Sequence, residues 1–366
     1  MTFSSPVRRH NRRIRALAAI AVILLLAGTA AAGGKSAKSK PEPEVPPLLL
    51  AHGRSLSYER SFSSEREVKL KSGFWSRVLG IVAGPPEFRQ MVRPYGVATD
   101  SRGRIIVTDP GLPGVHIFDF AQQKYKFISR EEGKDAFQSP QCVAVDAQDN
   151  IYFTDSEAGK IFVYDAKGKL RRVIGSLKGG EGFFKRPTGI AVDSAAERIY
   201  VSDTLRHKIF VLDLQGTVLN SIGKRGVDLG EFNFPTEIRL QGEELLVVDA
   251  MNFRVQVLSR SGQFLYGVGK IGESSGTMYR PKGIGSDSEG NLYVVDGIFD
   301  TVQAFDRQGR LLFYFGQSGD GPTQFQLPAG LFIDRNDRIY VVDSFNRRVQ
   351  VFRYARGQGQ ASGGTP

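Results

Sequence analysis

Apolar residues in this chain fall into short runs, four runs to a unit, and the unit is written six times. The third unit shows it best, reading "PTGIAVD", "RIYVSD", "HKIFVLD" and "TVLNSIG" in succession. Each run is rich in Val, Ile, Phe and Tyr, ends at Asp, Gly or Asn, and is too short to show a helical period, which is strand composition. Between the first and second runs stand "DSRGR", "DAQDN", "DSEGN" and "DRNDR". Their Gly, Asn and Asp tolerate the positive backbone angles of tight hairpins, so each unit is predicted to be four antiparallel strands.

Every unit opens on a proline: Pro94, Pro140, Pro187, Pro235, Pro281 and Pro328, spaced 46 to 48 residues apart. Three residues earlier stands Met91, Phe137, Phe184, Phe232, Met278 or Phe325. A repeat of this period is one supersecondary unit copied around an axis or along a line. A single four-stranded sheet cannot bury both faces, so the units must pack on one another. Radial packing leaves only short, protected edges, whereas an open solenoid is the alternative. The predicted fold class is therefore all-β, a six-bladed β-propeller of four-stranded antiparallel blades. The bulky residue is expected to plug the seam between blades, and the proline to start the inner strand, where no ladder donor is needed.

The sixth unit lacks a fourth run, so the ring is expected to be closed by a strand from upstream of Met91. Two segments compete, "RSLSYERSF" at 54–62 and "SRVLGIV" at 76–82. The first is favoured as the closing strand. The second, with Phe74, Trp75, Val78, Leu79 and Val82 at helical spacing, is expected to form a short amphipathic helix against the ring.

Strings such as "PTGIAVD…RIYVSD…HKIFVLD…VLNSIG" and "DSFNRRVQVF" resemble NHL repeats, and the resemblance covers residues 91–354. It implies a six-bladed propeller. It says little about function, because that superfold carries enzymes, RNA binders, sensors and protein-interaction platforms.

Ahead of the repeats, Arg8, Arg9, Arg12, Arg13 and Arg15 precede an apolar stretch at 16–32 that ends in small residues. This is the pattern of an export signal, with cleavage expected after Ala32 and an uncleaved membrane anchor as the alternative. The arginine pairs lack the continuation of a twin-arginine signal, and no cysteine stands where a lipoprotein would need one. The organisation is then 1–32 export signal or anchor, 33–47 Pro/Lys-rich linker, 48–90 N-terminal extension, 91–354 propeller and 355–366 tail. Localisation is expected to be periplasmic or at the cell surface. The formal charge of +11 includes the five arginines of the signal, so the exported chain is only mildly basic.

The twelve positions at strand ends invite a reading as calcium ligands or acid–base groups. They are Asp100, Asp146, Asp193, Gln241, Asp287 and Asp334, then Asp109, Asp155, Asp203, Asp249, Asp296 and Asp343. Each sits beside a turn, where Asp accepts backbone N–H bonds, and the amide of Gln241 could cap as well, so the structural role is favoured. Propeller lyases of the peptidyl-amidating kind hold zinc through several histidines on the axis. Here His10 lies in the signal and His52 in the extension, while His116 and His207 read as variants of one blade position. The lone Cys142 reads as a small buried residue of an inner strand. No catalytic residue, metal or cofactor is assigned.

One rim remains. The loops joining second to third strands, and those joining each fourth strand to the next first strand, share a face of a propeller. That face is expected to collect Arg93, Tyr95, Arg186, Arg280 and Lys282 around the prolines. From the other loops come Arg206, Asn252, Phe253, Phe299, Phe345, Asn346 and Arg347. Arginine with aromatics is the composition of binding hot spots, although Arg254 and Arg348 are expected only to bond carbonyls of the next blade. The leading functional reading is an exported, monomeric, non-enzymatic scaffold that holds a protein, peptide or envelope polymer, with membrane contact through the N-terminal segment if it is uncleaved. A metal-dependent lyase or lactonase and an RNA binder are the alternatives, the export signal speaking against nucleic acid.

Overall fold

Each unit folds into the four strands that its pattern predicts. In the computed structural model the described residues are 45–68, 88–129 and 136–357. Blade 3 consists of Pro187–Asp193, Arg198–Asp203, Lys208–Asp213 and Val218–Ile222, paired in that order. Blades 1, 2, 4 and 5 repeat the arrangement, and neighbouring first strands pack against one another all the way round, blade 6 against blade 1 included. The chain is an all-β, six-bladed propeller with a closed ring.

Blade 6 shows how the ring closes. Leu331–Ile333, Arg338–Asp343 and Arg348–Ala355 supply three strands, and Ser55–Phe62 adds the fourth, antiparallel, with Leu56 opposite Tyr354 and Phe62 opposite Val349. The first of the two candidate segments is thus the closing strand. A fifth, two-residue strand, Leu48–Leu49, pairs with it on the outside. Val45, Pro46 and Pro47, expected to be linker, line a cleft beside Leu56 and Tyr58. The segment at 76–82, the apolar stretch at 16–32, residues 33–44 and residues 358–366 lie outside the described residues. Among the described residues no helix is long and apolar enough to cross a membrane.

The core is six seams rather than one centre. Each apolar cluster joins two adjacent blades, and each contains one of the bulky residues before the prolines, all buried. Phe137, for instance, meets Phe153 and Phe162 edge-on at ring distances of 5.3 and 5.5 Å. Burying such a side chain is worth about 1.5–3 kcal/mol, so the six plugs hold each blade to its neighbour.

The repeated acids are structural. Asp146 accepts the backbone N–H groups of Gln148 and Asn150 within its own turn. The second acid reaches further: Asp109, Asp155, Asp203, Asp249, Asp296 and Asp343 each accept main-chain N–H groups just ahead of the proline of their blade. Blade 4 departs from expectation. Its inner strand runs through Gln241, which pairs with Glu244 across a turn whose Gly242 has φ +56°, so the hairpin closes without an amide cap. Arg254 and Arg348 also differ from expectation in their partners. They bond carbonyls of the loops entering their own blades, at Asp228 and Glu231 and at Gly321 and Gln324.

Phe62 carries the closure energetically, since it belongs to blade 6 yet packs edge-on against Phe118 and Phe120 of blade 1 at 4.8 and 5.2 Å. Phe62→Ala is expected to lower the unfolding free energy by about 3–5 kcal/mol in denaturant titration, because it empties a seam that spans the chain's two ends.

Candidate binding site at the mouth of the central channel

Two positions of the inner strand face the crowded axis. Two residues after the proline come Gly96, Cys142, Gly189, Glu237, Gly283 and Gly330. At all four glycines an added Cβ would lie closer than 3.0 Å to a carbonyl oxygen of the next blade's inner strand. The two exceptions reach each other instead: the buried Cys142 thiol donates to Glu237 Oε2 at 3.0 Å. Four residues after the proline come Ala98, Ala144, Ala191, Arg239, Gly285 and Phe332, and again the two large residues meet, with the Arg239 guanidinium 5.4 Å from the Phe332 ring centre.

Arg239 spans the channel. From blade 4 it crosses to the opposite side and donates to Val143 O at 3.1 Å, Val97 O at 3.1 Å and Leu331 O at 3.0 Å. These are equivalent carbonyls of blades 2, 1 and 6, left without ladder partners by their place on the inner edge. Glu237 pairs with Arg239 at 2.7 Å. Burial pushes the Glu237 carboxyl above its usual range, with Arg239 and Cys142 opposing the shift. Burial, followed by Glu237, likewise drives the Cys142 thiol well up, in keeping with its place as a donor to Glu237. Sequence reasoning missed Glu237 and Arg239. The signal was there, in two positions kept small in four blades.

Above this plug the mouth is cationic. Arg93, Arg186 and Arg280 stand immediately before the prolines of blades 1, 3 and 5. Their main-chain N–H groups are held by Asp109, Asp203 and Asp296 at 2.9, 3.0 and 3.2 Å. Tyr95 and Lys282 follow the prolines of blades 1 and 5. Burial raises the Tyr95 pKa far above the usual phenol value, the charges of Cys142 and Glu237 adding to the shift and those of Arg186 and Arg280 opposing it. The Lys282 stem runs across Gly297 so closely that a Cβ there would come within 3.2 Å of its Cδ and Cε. Burial first, then the neighbouring Arg280, pulls the Lys282 ammonium down to about 8.

The remaining rim residues divide. Arg206 is taken up by Asp203 at 3.5 Å and by the faces of Phe183 and Phe210. Asn252 and Asn346 tie loops together through Gly226 O and Gly319 O, at 2.9 and 2.8 Å. Phe253 and Phe299 are half-buried and flank the exposed Tyr279, with ring centres 6.1 and 6.4 Å away. Phe345 and Arg347 are exposed and share a cleft of about 430 Å³ with Val92 and Arg93. The stronger apolar feature was missed. At the second position after the acid, blades 3 to 6 present Leu205, Met251, Ile298 and Phe345, which are 45%, 52%, 45% and 55% exposed, an arc at one height on the rim.

His116 and His207 do not occupy equivalent places in their blades. His116 lies inside a third strand, with Nδ1 2.8 Å from the Tyr125 hydroxyl, while His207 sits in a loop and its Nδ1 accepts the Phe234 N–H at 3.2 Å. Among the described residues no three His, Cys, Asp or Glu side chains gather as a metal centre would require.

A family profile described as a 6-bladed beta-propeller matches residues 134–224 and 286–358. No curated protein matches the chain in sequence. Among solved structures, selenomethionine-substituted virginiamycin B lyase from Staphylococcus aureus aligns with a TM-score of 0.54 over 82% of this chain and 99% of its own, at 14% identity. An auxiliary nutrient binding protein from Bacteroides thetaiotaomicron gives 0.55 over 73% of this chain and 70% of its own, at 13% identity. A structural genomics protein of unknown function from the same species gives 0.56 over 72% and 70%, at 16% identity. At such identities the likeness is one of fold. The class defined is a six-bladed propeller, with neighbours that include a binding protein and a lyase. This particular propeller has an axis closed by a guanidinium and a cationic mouth above it.

Two outcomes follow for the channel. Arg239→Ala leaves Glu237 buried without its partner and is expected to cost about 3–5 kcal/mol in denaturant titration, part of which the double variant with Glu237→Ala recovers. For Lys282, the unfolded chain keeps the proton up to its ordinary value of 10.5, whereas the folded chain releases it near 8. Between those values the unfolded state binds more protons, so the Lys282 contribution to stability rises with pH, while below about 8 its burial cost is constant and largest. Lys282→Met is therefore expected to stabilise the protein below pH 8, by a margin over wild type that shrinks as denaturation is repeated towards pH 10.

Proposed function

We propose that this is an exported, NHL-type propeller that acts as a binding platform rather than as an enzyme, using the rim of second-to-third and fourth-to-first loops to hold a protein, peptide or envelope polymer. The observation that carries the reading is the apolar arc of Leu205, Met251, Ile298 and Phe345 on the rim that also carries the cations of the mouth. Exposed apolar residues at one height, repeated over four consecutive blades, cost solubility unless a partner covers them. Cations within an apolar surround are the composition of interaction hot spots. An RNA ligand accounts for the cations but not for the arc. A metal-dependent lyase would place a cation on the axis, where Arg239 already spans the channel.

Cross-linking of the exported protein in its native envelope tests the platform. Wild type is expected to give one dominant adduct, which the combined Leu205→Ser, Met251→Ser, Ile298→Ser and Phe345→Ser variant loses while its thermal unfolding is unchanged; an adduct retained by the variant removes the rim reading. Export itself is checked by fusing residues 1–47 to a reporter that is active only outside the cytosol. Activity is the expected result, and a silent reporter returns RNA binding to consideration.

A further inference from the structure

Arg186, Arg280 and Lys282 form no ion pair with any carboxylate among the described residues, although other basic residues do so in blades 1, 3, 4, 5 and 6. Below them the Glu237 carboxylate is paired with Arg239. Lys282 is the telling member. Its stem runs over Gly297, and the charge of Arg280 acts against its ammonium. Holding a desolvated ammonium beside a guanidinium is unfavourable in the empty protein and is relieved when an anion enters. The acids of the repeat fix the main chain from which both arginines project, and their exposed side chains are open to a ligand.

We propose that the channel mouth is a seat for a phosphoryl group, either the free phosphate ion or the phosphate end of a larger ligand, gripped by Arg186, Arg280 and Lys282 with the Tyr95 hydroxyl as a further donor. Two guanidinium forks, an ammonium and a phenol offer more donors than a carboxylate's two oxygens can use, and they match the three oxygens and double charge of a phosphate. Arg239 closes the channel beneath, so the group enters from the rim and stops at the plug. A chain attached to it would leave across the apolar arc. The inference rests on the platform reading and names the chemical group at its centre.

Titration calorimetry on the full chain near neutral pH tests it, with inorganic phosphate, glycerol 3-phosphate and acetate as probes. Both phosphates are expected to bind, and acetate at least about tenfold more weakly. Lys282→Gln and Arg280→Gln are each expected to weaken phosphate binding at least about tenfold, the loss of one charge-assisted bond. Tyr95→Phe, which keeps the ring packing, is expected to weaken it less, and it serves as the test if either charge variant fails to melt cooperatively. Tighter binding of the ester assigns the seat to a terminal group, and tighter binding of the ion assigns it to free phosphate. Absence of phosphate heat in wild type, acetate binding as well as phosphate, or unchanged affinity in the variants overturns the proposal. The four-serine rim variant is expected to bind phosphate normally, so loss of the cross-linked partner and loss of the phosphate seat are separate failures.

Discussion

Six inner strands must meet around one axis, and the distance at which they meet governs everything else in this ring. The carbonyl after each proline presses into the space beside the preceding blade's inner strand, and four blades answer with glycine at that point. No φ constraint is involved at Gly96, Gly189, Gly283 or Gly330; the requirement is close approach. Once the strands are that near, the axis can accept few side chains, and any that enter must satisfy one another. Cys142 with Glu237, and Arg239 with Phe332, are the two pairs that do so.

The same closeness creates an electrostatic need. An inner strand has no ladder partner on its channel side, so its carbonyls converge on a narrow, dry space. Hydroxyls of second strands satisfy part of this in blades 1 to 3, where Thr108, Thr154 and Ser202 bond carbonyls of the following blade. Arg239 satisfies three more from the far side. The guanidinium is thus both fastener and stopper, and it makes the rim face a blind mouth.

What was legible in the sequence was whatever repeats. The prolines, the bulky plugs and the acids recur at fixed spacing, and with them came blade number, strand order and the closing strand at Ser55–Phe62, since only a missing fourth run requires one. The rim loops were legible as loops, but not which of their side chains end exposed. In blades 4 and 6 the residue four places after the acid takes a left-handed backbone, Phe253 with φ +56° and Arg347 with φ +57°, and the Phe253 ring lies beside Tyr279 while Met251 is exposed. Single-residue turn geometry of this kind does not show in composition. The axial pairs were missed for a different reason. Cys142 and Glu237 lie 95 residues apart, and only the ring brings them together.

The repeated and the variable residues therefore divide the work without being independent. Asp203 and Asp296 do no chemistry, yet they hold the main chain from which Arg186 and Arg280 project. The alternation of arginine through blades 1, 3 and 5, with Ser139, Phe234 and Leu327 at the intervening places, gives the mouth its cations without crowding six of them around one axis. Six arginines there would repel one another strongly, whereas three with Lys282 leave room for a doubly charged guest. The copies had to diverge at this position for the ring to close and still attract a ligand.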